Sequence, residues 1–153
     1  MKIGIFLSGY PVFSETFVHN ELFYLQKNKI EGKIWYELEP ERISFHPVVD
    51  EILFSKTKIP HKIFCKIFFL QIVKAHLHFL IKYPLRYLSL WYKPIFLKWW
   101  DLRSIIKAPL IALEVNNFKA DLLYVHEADR AYYFAFLSSI LCKIPIGIIF
   151  HTY

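Results

Sequence analysis

Residues 2–22 read KIGIFLSGYPVFSETFVHNEL, and this stretch decides the fold. Its first part, residues 2–8, is a nearly continuous apolar run, which is typical of a strand covered on both faces of a parallel sheet. Gly9 and Pro11 interrupt the run and indicate a turn. Apolar residues then recur at helical spacing, so a helix is expected over 15–28. Strand, turn and helix in this order predict the opening of a doubly wound α/β domain.

The rest of the chain continues the same pattern. Residues 32–38 predict a second strand, parallel to the first, and Ile52-Leu53-Phe54 predicts a short third strand. Further strands are expected over 121–126 and 146–150, with a helix over 129–142 between them. The predicted fold class is therefore α/β with a parallel sheet. In such a sheet, ligands bind outside the carboxyl ends of the strands.

The middle of the chain differs in composition. Residues 60–117 are expected to be helical, with breaks near Pro84, Pro94 and Pro109. The segment 56–107 holds eleven Lys or Arg and one acidic residue, a net charge of +10, whereas the whole chain carries +6. It also contains three of the four tryptophans. We interpret 56–107 as a basic, aromatic-rich helical insertion within the α/β domain.

This segment raises the question of a membrane. The run 63–81 is apolar, but Lys66 and Lys74 interrupt it, and a lysine near the bilayer centre costs about 2.5–3.5 kcal/mol. Basic and aromatic side chains together suit helices that lie on an anionic membrane surface. A helical layer that covers the sheet, with its lysines simply solvated, and a true spanning helix are the alternatives. The favoured interpretation predicts a cytoplasmic protein, peripheral at the inner face of the cytoplasmic membrane.

Composition and spacing exclude other classes. A chain of 153 residues with 56% hydrophobic residues is about one domain and is not disordered. Cys65 and Cys142 have neither metal nor redox spacing, so we expect buried thiols in a reducing compartment and no metal site. No glycine-rich phosphate loop and no nucleic-acid module is present, and no nucleic-acid partner is expected. Met1-Lys2 leads directly into a strand, so no signal peptide is predicted.

Two histidines follow predicted strands directly. His126 and His151 fall at carboxyl ends of strands, where the ligand cleft of a doubly wound sheet is expected. Each is either a ligand-facing residue or a structural histidine. Ser14 and Glu15 are favourable residues for the start of a helix, and a helix N-terminus can also bind an anion such as a phosphate.

Three segments resemble the family-four glycosyltransferases, which build bacterial exopolysaccharide and lipid-linked sugars. Residues 10–22 resemble the P-x-x-S-E-T-F loop that joins the first strand to the first helix in that family. Residues 120–126, ADLLYVH, resemble its D-h-h-H-x-H-F segment, with Tyr124 in place of the first histidine. Residues 145–153, PIGIIFHTY, resemble its P-Y-S-F-T-A-H-A-Y segment.

The resemblance implies a Rossmann-like sheet and places residues 1–153 in an incomplete N-terminal, acceptor-side domain of a GT-B glycosyltransferase. It implies a retaining transfer, without metal or other cofactor, from a nucleotide-sugar to a lipid-linked or polysaccharide acceptor. By matched positions, His151 is the catalytic residue. The implied substrate-binding residues are Ser14, Glu15, Thr16 and His126.

In the family, most of the donor site belongs to a C-terminal domain. We therefore expect the 153 residues by themselves to be inactive, with a complementary C-terminal chain as one expected partner. The alternative is a non-catalytic remnant, or a membrane-surface binding module that keeps the fold.

Overall fold

The structure, which is a computed structural model, alternates strands and helices except for three successive helices in the middle of the chain. It describes residues 1–11, 16–38, 48–60, 66–92, 102–126 and 130–149. The strands of these residues are β1 (Lys2–Gly9), β2 (Glu31–Leu38), β3 (Ser55–Lys58), β4 (Leu122–His126) and β5 (Ile146–Ile149). The helices are α1 (Thr16–Lys27), α2 (Val48–Glu51), α3 (Lys66–Lys82), α4 (Pro84–Tyr92), α5 (Leu102–Phe118) and α6 (Arg130–Cys142).

The five strands of the described residues form one parallel sheet in the order β3-β2-β1-β4-β5. This confirms the predicted α/β class and a Rossmann-like parallel sheet. β1 is the central strand and is buried on both faces, as its continuous apolar pattern predicts. The strand order reverses between β1 and β4, so the topological switch point of the sheet lies there.

Most of the predicted elements are confirmed. The strands expected over 32–38, 121–126 and 146–150 are observed as β2, β4 and β5. The helices expected over 15–28 and 129–142 are observed as α1 and α6. Each observed boundary lies within one residue of the predicted one.

Helices cover both faces of the sheet. On one face, Val18 and Leu22 of α1 pack against Ile3, Ile5 and Leu7 of β1. On the other face, α5 and α6 pack over β1, β2 and β4. α3 and α4 pack on α5 and α6 through a third apolar cluster and so form an outer helical layer. Among the described helices, none combines the length and the apolar character needed to cross a bilayer.

The third strand is β3, so the prediction of a strand at residues 52–54 is wrong. Ile52 and Phe54 are buried against the face of the sheet that α1 covers. Phe54 lies over Gly32, where a Cβ atom would come within 2.5 Å of the phenyl ring. Pairing with β2 begins only at Ser55. Because β3 is a polar strand at the edge of the sheet, an apolar pattern does not reveal it.

The prolines of the helical middle have different effects. Pro84 begins α4 and separates it from α3, as predicted, because proline is favourable in the first turn of a helix. Pro109 lies inside α5, so the predicted break there is wrong. A proline inside a helix costs about 3 kcal/mol. Burial of eight α5 residues against its neighbours offsets that cost. Pro94 lies outside the described residues.

Candidate functional site

The predicted site segments meet at one edge of the sheet. β1, β4 and β5 are parallel neighbours, so their last residues, Gly9, His126 and Ile149, lie toward the same edge. His126 of β4 pairs with Ile149 of the neighbouring β5. α1 begins at Thr16 and packs on β1. The edge thus combines three strand ends with a helix N-terminus beside the switch point.

A cluster of three polar side chains, the Glu21 cluster, ties α1 to β4 at this edge. The hydroxyl of Tyr124 donates a hydrogen bond to Oε1 of Glu21. Nε2 of His126 lies 2.8 Å from Oε2 of the same carboxylate. Tyr124 and His126 are two residues apart on β4, so both side chains reach the face that α1 covers. At 2.8 Å, the imidazole of His126 and the Glu21 carboxylate are in direct polar contact.

Aromatic contacts complete the surroundings of His126. The ring of Phe17 lies 5.8 Å from the imidazole, centroid to centroid, and the ring of Tyr124 lies 5.0 Å away and nearly perpendicular. Phe17 and Glu21 are one helical turn apart, so the same face of α1 supplies both contacts. The His126 side chain is 2% exposed, whereas that of Glu21 is 34% exposed. The end of β4 is therefore fixed against the first two turns of α1.

The electrostatics of the cluster keep Tyr124 protonated. Burial raises the pKa of Tyr124 well above its ordinary value, and the hydrogen bond to Glu21 and the negative charge of that carboxylate raise the pKa further. The hydroxyl therefore remains a donor throughout the neutral range. Glu21 accepts the hydrogen bond of Tyr124 and also contacts the His126 ring, so it touches both β4 side chains.

A second buried group lies at the end of β1. Tyr10 and His19 are 2% and 1% exposed, and their rings pack nearly perpendicular with centroids 5.6 Å apart. Nζ of Lys56 lies 5.2 Å from the centre of the Tyr10 ring, within the range of a cation–π contact. Burial raises the pKa of Tyr10 above its ordinary value. This packing anchors the residue that follows β1 onto α1 and β3.

The structure describes two of the five predicted site residues. Thr16 is exposed at the first position of α1. His126 is buried at the end of β4 and contacts Phe17, the residue after Thr16. The elements that carry these two predicted residues are therefore in contact. The other three, Ser14, Glu15 and His151, lie outside the described residues.

Glu21 and Tyr124 are functional-site candidates that sequence reasoning missed. Glu21 belongs to the stretch that resembles the glycosyltransferases, and in the sequence Tyr124 is only a departure from their pattern. A signal was present, since Tyr124 and His126 alternate on one predicted strand while Phe17 and Glu21 share one helical face. What the sequence did not supply was the pairing of that strand with that helix, across 103 positions.

The edge offers a helix N-terminus, an imidazole and a carboxylate, which can orient an anionic or polyhydroxylated ligand. Among the described residues, no group of three His, Cys, Asp or Glu side chains is placed to hold a metal ion. No protein-family model matches the sequence, and no curated protein matches it.

Proposed function

We propose that the chain is the N-terminal, acceptor-side part of a retaining glycosyltransferase of the family-four type. Such an enzyme transfers a sugar from a nucleotide-sugar to a lipid-linked or polysaccharide acceptor. The observation that best supports this proposal is the arrangement of the three segments that resemble the family. Residues 10–22 follow β1, residues 120–126 contain β4, and residues 145–153 contain β5. These strands are neighbours with a common carboxyl edge. Segments distant in sequence therefore meet where ligands bind in sheets of this type.

Each predicted residue has a role in this proposal. Ser14, Glu15 and Thr16 bind acceptor and donor phosphate near the N-terminus of α1, because the unpaired N–H groups there favour negative charge. His126 acts on the acceptor side of the edge, where Glu21 holds its ring. His151, two residues beyond the end of β5, acts close to the reacting sugar.

Acceptor binding tests this proposal. Vesicles that contain a polyprenyl-diphosphate-linked sugar are expected to retain more of the protein than vesicles with the same polyprenyl diphosphate and no sugar. Thr16→Val is expected to reduce that difference, whereas Asn20→Ala, one turn farther from the N-terminus of the same helix, leaves it unchanged. Equal retention on both kinds of vesicle would reject the proposal.

Sugar transfer provides the second arm of this test. In the family, transfer uses positioned groups on both sides of a cleft, so the 153 residues by themselves are expected to transfer no sugar. Mixing with a complementary donor-binding chain is expected to restore transfer. His151→Ala should then abolish transfer and leave assembly of the two chains intact. Measurable transfer by the 153 residues alone would contradict this part of the proposal.

The outer helical layer supports an anionic membrane surface as a partner. Eight large apolar side chains of α3 and α4 are exposed, among them Ile81 at 78% and Leu85 at 81%. We call this surface the α3–α4 apolar face; it comprises Phe69, Leu70, Val73, Leu77, Leu80, Ile81, Leu85 and Leu88. The opposite side of α3 is also apolar and is buried in the core. A helix that is apolar on both sides requires a covering on its second side.

Charge favours a lipid surface as that covering. Lys74 and Lys82 lie on α3 itself, and the guanidinium of Arg86 on α4 lies 4.8 Å from the centre of the Tyr83 ring. These cations belong to the segment 56–107, which contains eleven basic residues and one acidic residue. Each Lys or Arg near an anionic leaflet contributes about 1 kcal/mol. The same observation favours a second candidate function, a non-catalytic module that binds the inner face of the cytoplasmic membrane.

Vesicle co-sedimentation tests the membrane partner. Binding to anionic vesicles is expected to fall steeply with salt and to weaken at least tenfold in Leu77→Glu, which puts a negative charge on the α3–α4 apolar face. Leu53→Glu is the matched control, since Leu53 is 82% exposed but lies between α2 and β3. Binding that does not change with salt concentration, with lipid charge or in Leu77→Glu would contradict the proposal that an anionic membrane surface is a partner. Membrane binding without dependence on the acceptor sugar would favour the non-catalytic module.

A further inference from the structure

A pocket of about 130 Å³ lies on the face of the sheet opposite the Glu21 cluster. Its floor consists of Trp35 of β2, Ile59 after β3 and Ile111 of α5, all of them buried. Phe68 of α3 and Leu110 of α5 contribute to its walls. A cavity of about 150 Å³ admits a benzene ring, so this smaller pocket, whose lining includes the exposed Lys58 and Gln71, suits a six-membered ring whose substituents reach solvent.

Polar groups of both signs line the same space. Lys107 of α5 is only 4% exposed, which is unusual for a lysine, and it lines the pocket together with the exposed Lys58 and Gln71. An ammonium group has three N–H donors, so a lysine that already has a partner can still donate to a ligand oxygen. The hydroxyl of Thr57 and the carboxylate of Glu114 complete the polar lining.

The carboxylate of Glu114 is fixed before any ligand arrives. Its Oε2 accepts a hydrogen bond from Nε1 of Trp35 at 2.9 Å and lies 3.5 Å from Nζ of Lys33. Nζ of Lys33 also lies 4.9 Å from the centre of the Trp35 ring. Such preorganisation lowers the cost of binding, because the acceptor does not have to be ordered by the ligand.

We propose that this pocket binds one pyranose ring. Hydroxyl groups both donate and accept, so a sugar can pair with Glu114 and with Lys107 at once. Its C–H faces suit the apolar floor and Phe68. A purely apolar ring would bring no oxygen to Lys107 or Gln71. The inference stands apart from the proposed function, since it uses the other face of the sheet and none of the predicted site residues.

The indole N–H of Trp35 reports on the pocket directly, because its acceptor Glu114 is part of the lining. Titration of the full chain with methyl glucopyranoside, followed by NMR, is expected to shift this resonance saturably, with a dissociation constant on the order of 1 mM. Cyclohexanol has a ring of the same size with one hydroxyl, and it is expected to bind at least tenfold more weakly.

Two variants locate the binding. Leu110→Trp fills the pocket and is expected to weaken binding more than tenfold, whereas Leu102→Trp, at the exposed start of the same helix, leaves it unchanged. Gln71→Ala removes a polar group at an exposed position and is expected to weaken binding about threefold without disturbing the fold. If Leu110→Trp fails to fold, as judged by circular dichroism, the binding affinity of Gln71→Ala decides whether the glucoside binds in this pocket.

The proposal is overturned if the glucoside gives no saturable shift, if cyclohexanol binds as tightly as the glucoside, or if Gln71→Ala binds like the unaltered protein. Failure of the acceptor-vesicle test leaves this titration unaffected, so the two proposals fail separately.

Discussion

The carboxylate of Glu21 lies 2.8 Å from the imidazole of His126 and joins the first helix to the strand beside the switch point. The same carboxylate accepts a hydrogen bond from the hydroxyl of Tyr124, so one side chain of α1 contacts two side chains of β4. His126 is buried, and Glu21 reaches solvent with a third of its surface. The positions of the strand end and of the helix start therefore depend on one another.

Removal of the Glu21 carboxylate tests whether the end of β4 and the start of α1 depend on one another. Glu21→Ala leaves the Tyr124 hydroxyl without its acceptor and removes the carboxylate that contacts the His126 ring, and the free energy of unfolding is expected to fall by about 2 kcal/mol. The value is moderate because Glu21 is partly exposed and water can replace it in part. Urea unfolding measures the change. Asn20→Ala, an exposed neighbour on α1, is expected to stay within about 0.5 kcal/mol; equal losses in both variants would contradict the role of the cluster.

The raised pKa of Tyr124 predicts the response of stability to alkali. In the unfolded chain this tyrosine loses its proton near the ordinary value of 10.0, whereas the folded protein retains the proton. The unfolded state then binds fewer protons, so the free energy of unfolding falls as pH rises above 10. Tyr124→Phe is expected to make this fall shallower. Urea unfolding at several pH values measures it, and an unchanged slope above pH 10 would refute the prediction. Between pH 7 and 9 the slopes of the two proteins should agree.

The sequence predicts those elements whose pattern reflects their surroundings. β1 is central and covered on both faces, so its residues are apolar without interruption and the strand is evident. β3 pairs on one side only, and its polar residues give no apolar pattern. Ile52 and Phe54 do have an apolar pattern, but it reflects packing onto the sheet and not pairing within it.

The candidate site is predictable only in part. The ends of β1, β4 and β5 and the start of α1 follow from strand and helix patterns, and a parallel sheet brings them to one edge. The role of Glu21 does not follow, because it depends on which face of α1 meets β4 in three dimensions. His126 was predicted at the edge, yet its burial and its carboxylate partner come from tertiary packing.

Cys142 tests the packing of α6 against α5. The sequence predicts two buried thiols; Cys142 is partly buried, with its Sγ 3.1 Å from the carbonyl oxygen of Ala112, and Cys65 lies outside the described residues. Burial raises the pKa of Cys142 to about 12, against the opposing effect of the Arg86 charge. In a Cys65→Ser background, alkylation by iodoacetamide at pH 8 is expected to be about a hundredfold slower in the folded protein than in guanidinium chloride. Similar rates in the two conditions would show that the thiol is accessible.

The two prolines of the helical middle predict opposite effects of the same substitution. In Pro109→Ala, the new N–H can donate to the carbonyl of Ile105, four residues earlier in α5. Removal of an interior proline relieves a cost of about 3 kcal/mol, but loss of the buried ring removes part of the stabilisation from apolar burial. The free energy of unfolding is therefore expected to rise by about 1 kcal/mol.

Pro84→Ala is the matched control, since Pro84 is the first residue of α4, where no helical N–H bond is lost. Here the unfolded chain gains freedom and the folded chain gains no bond, so the free energy of unfolding is expected to fall by about 0.5 kcal/mol. Thermal and urea unfolding measure both variants. A loss of stability in Pro109→Ala would mean that the surrounding helices are packed around a bend that only proline maintains, and a gain in Pro84→Ala would mean that proline strains the junction of α3 and α4.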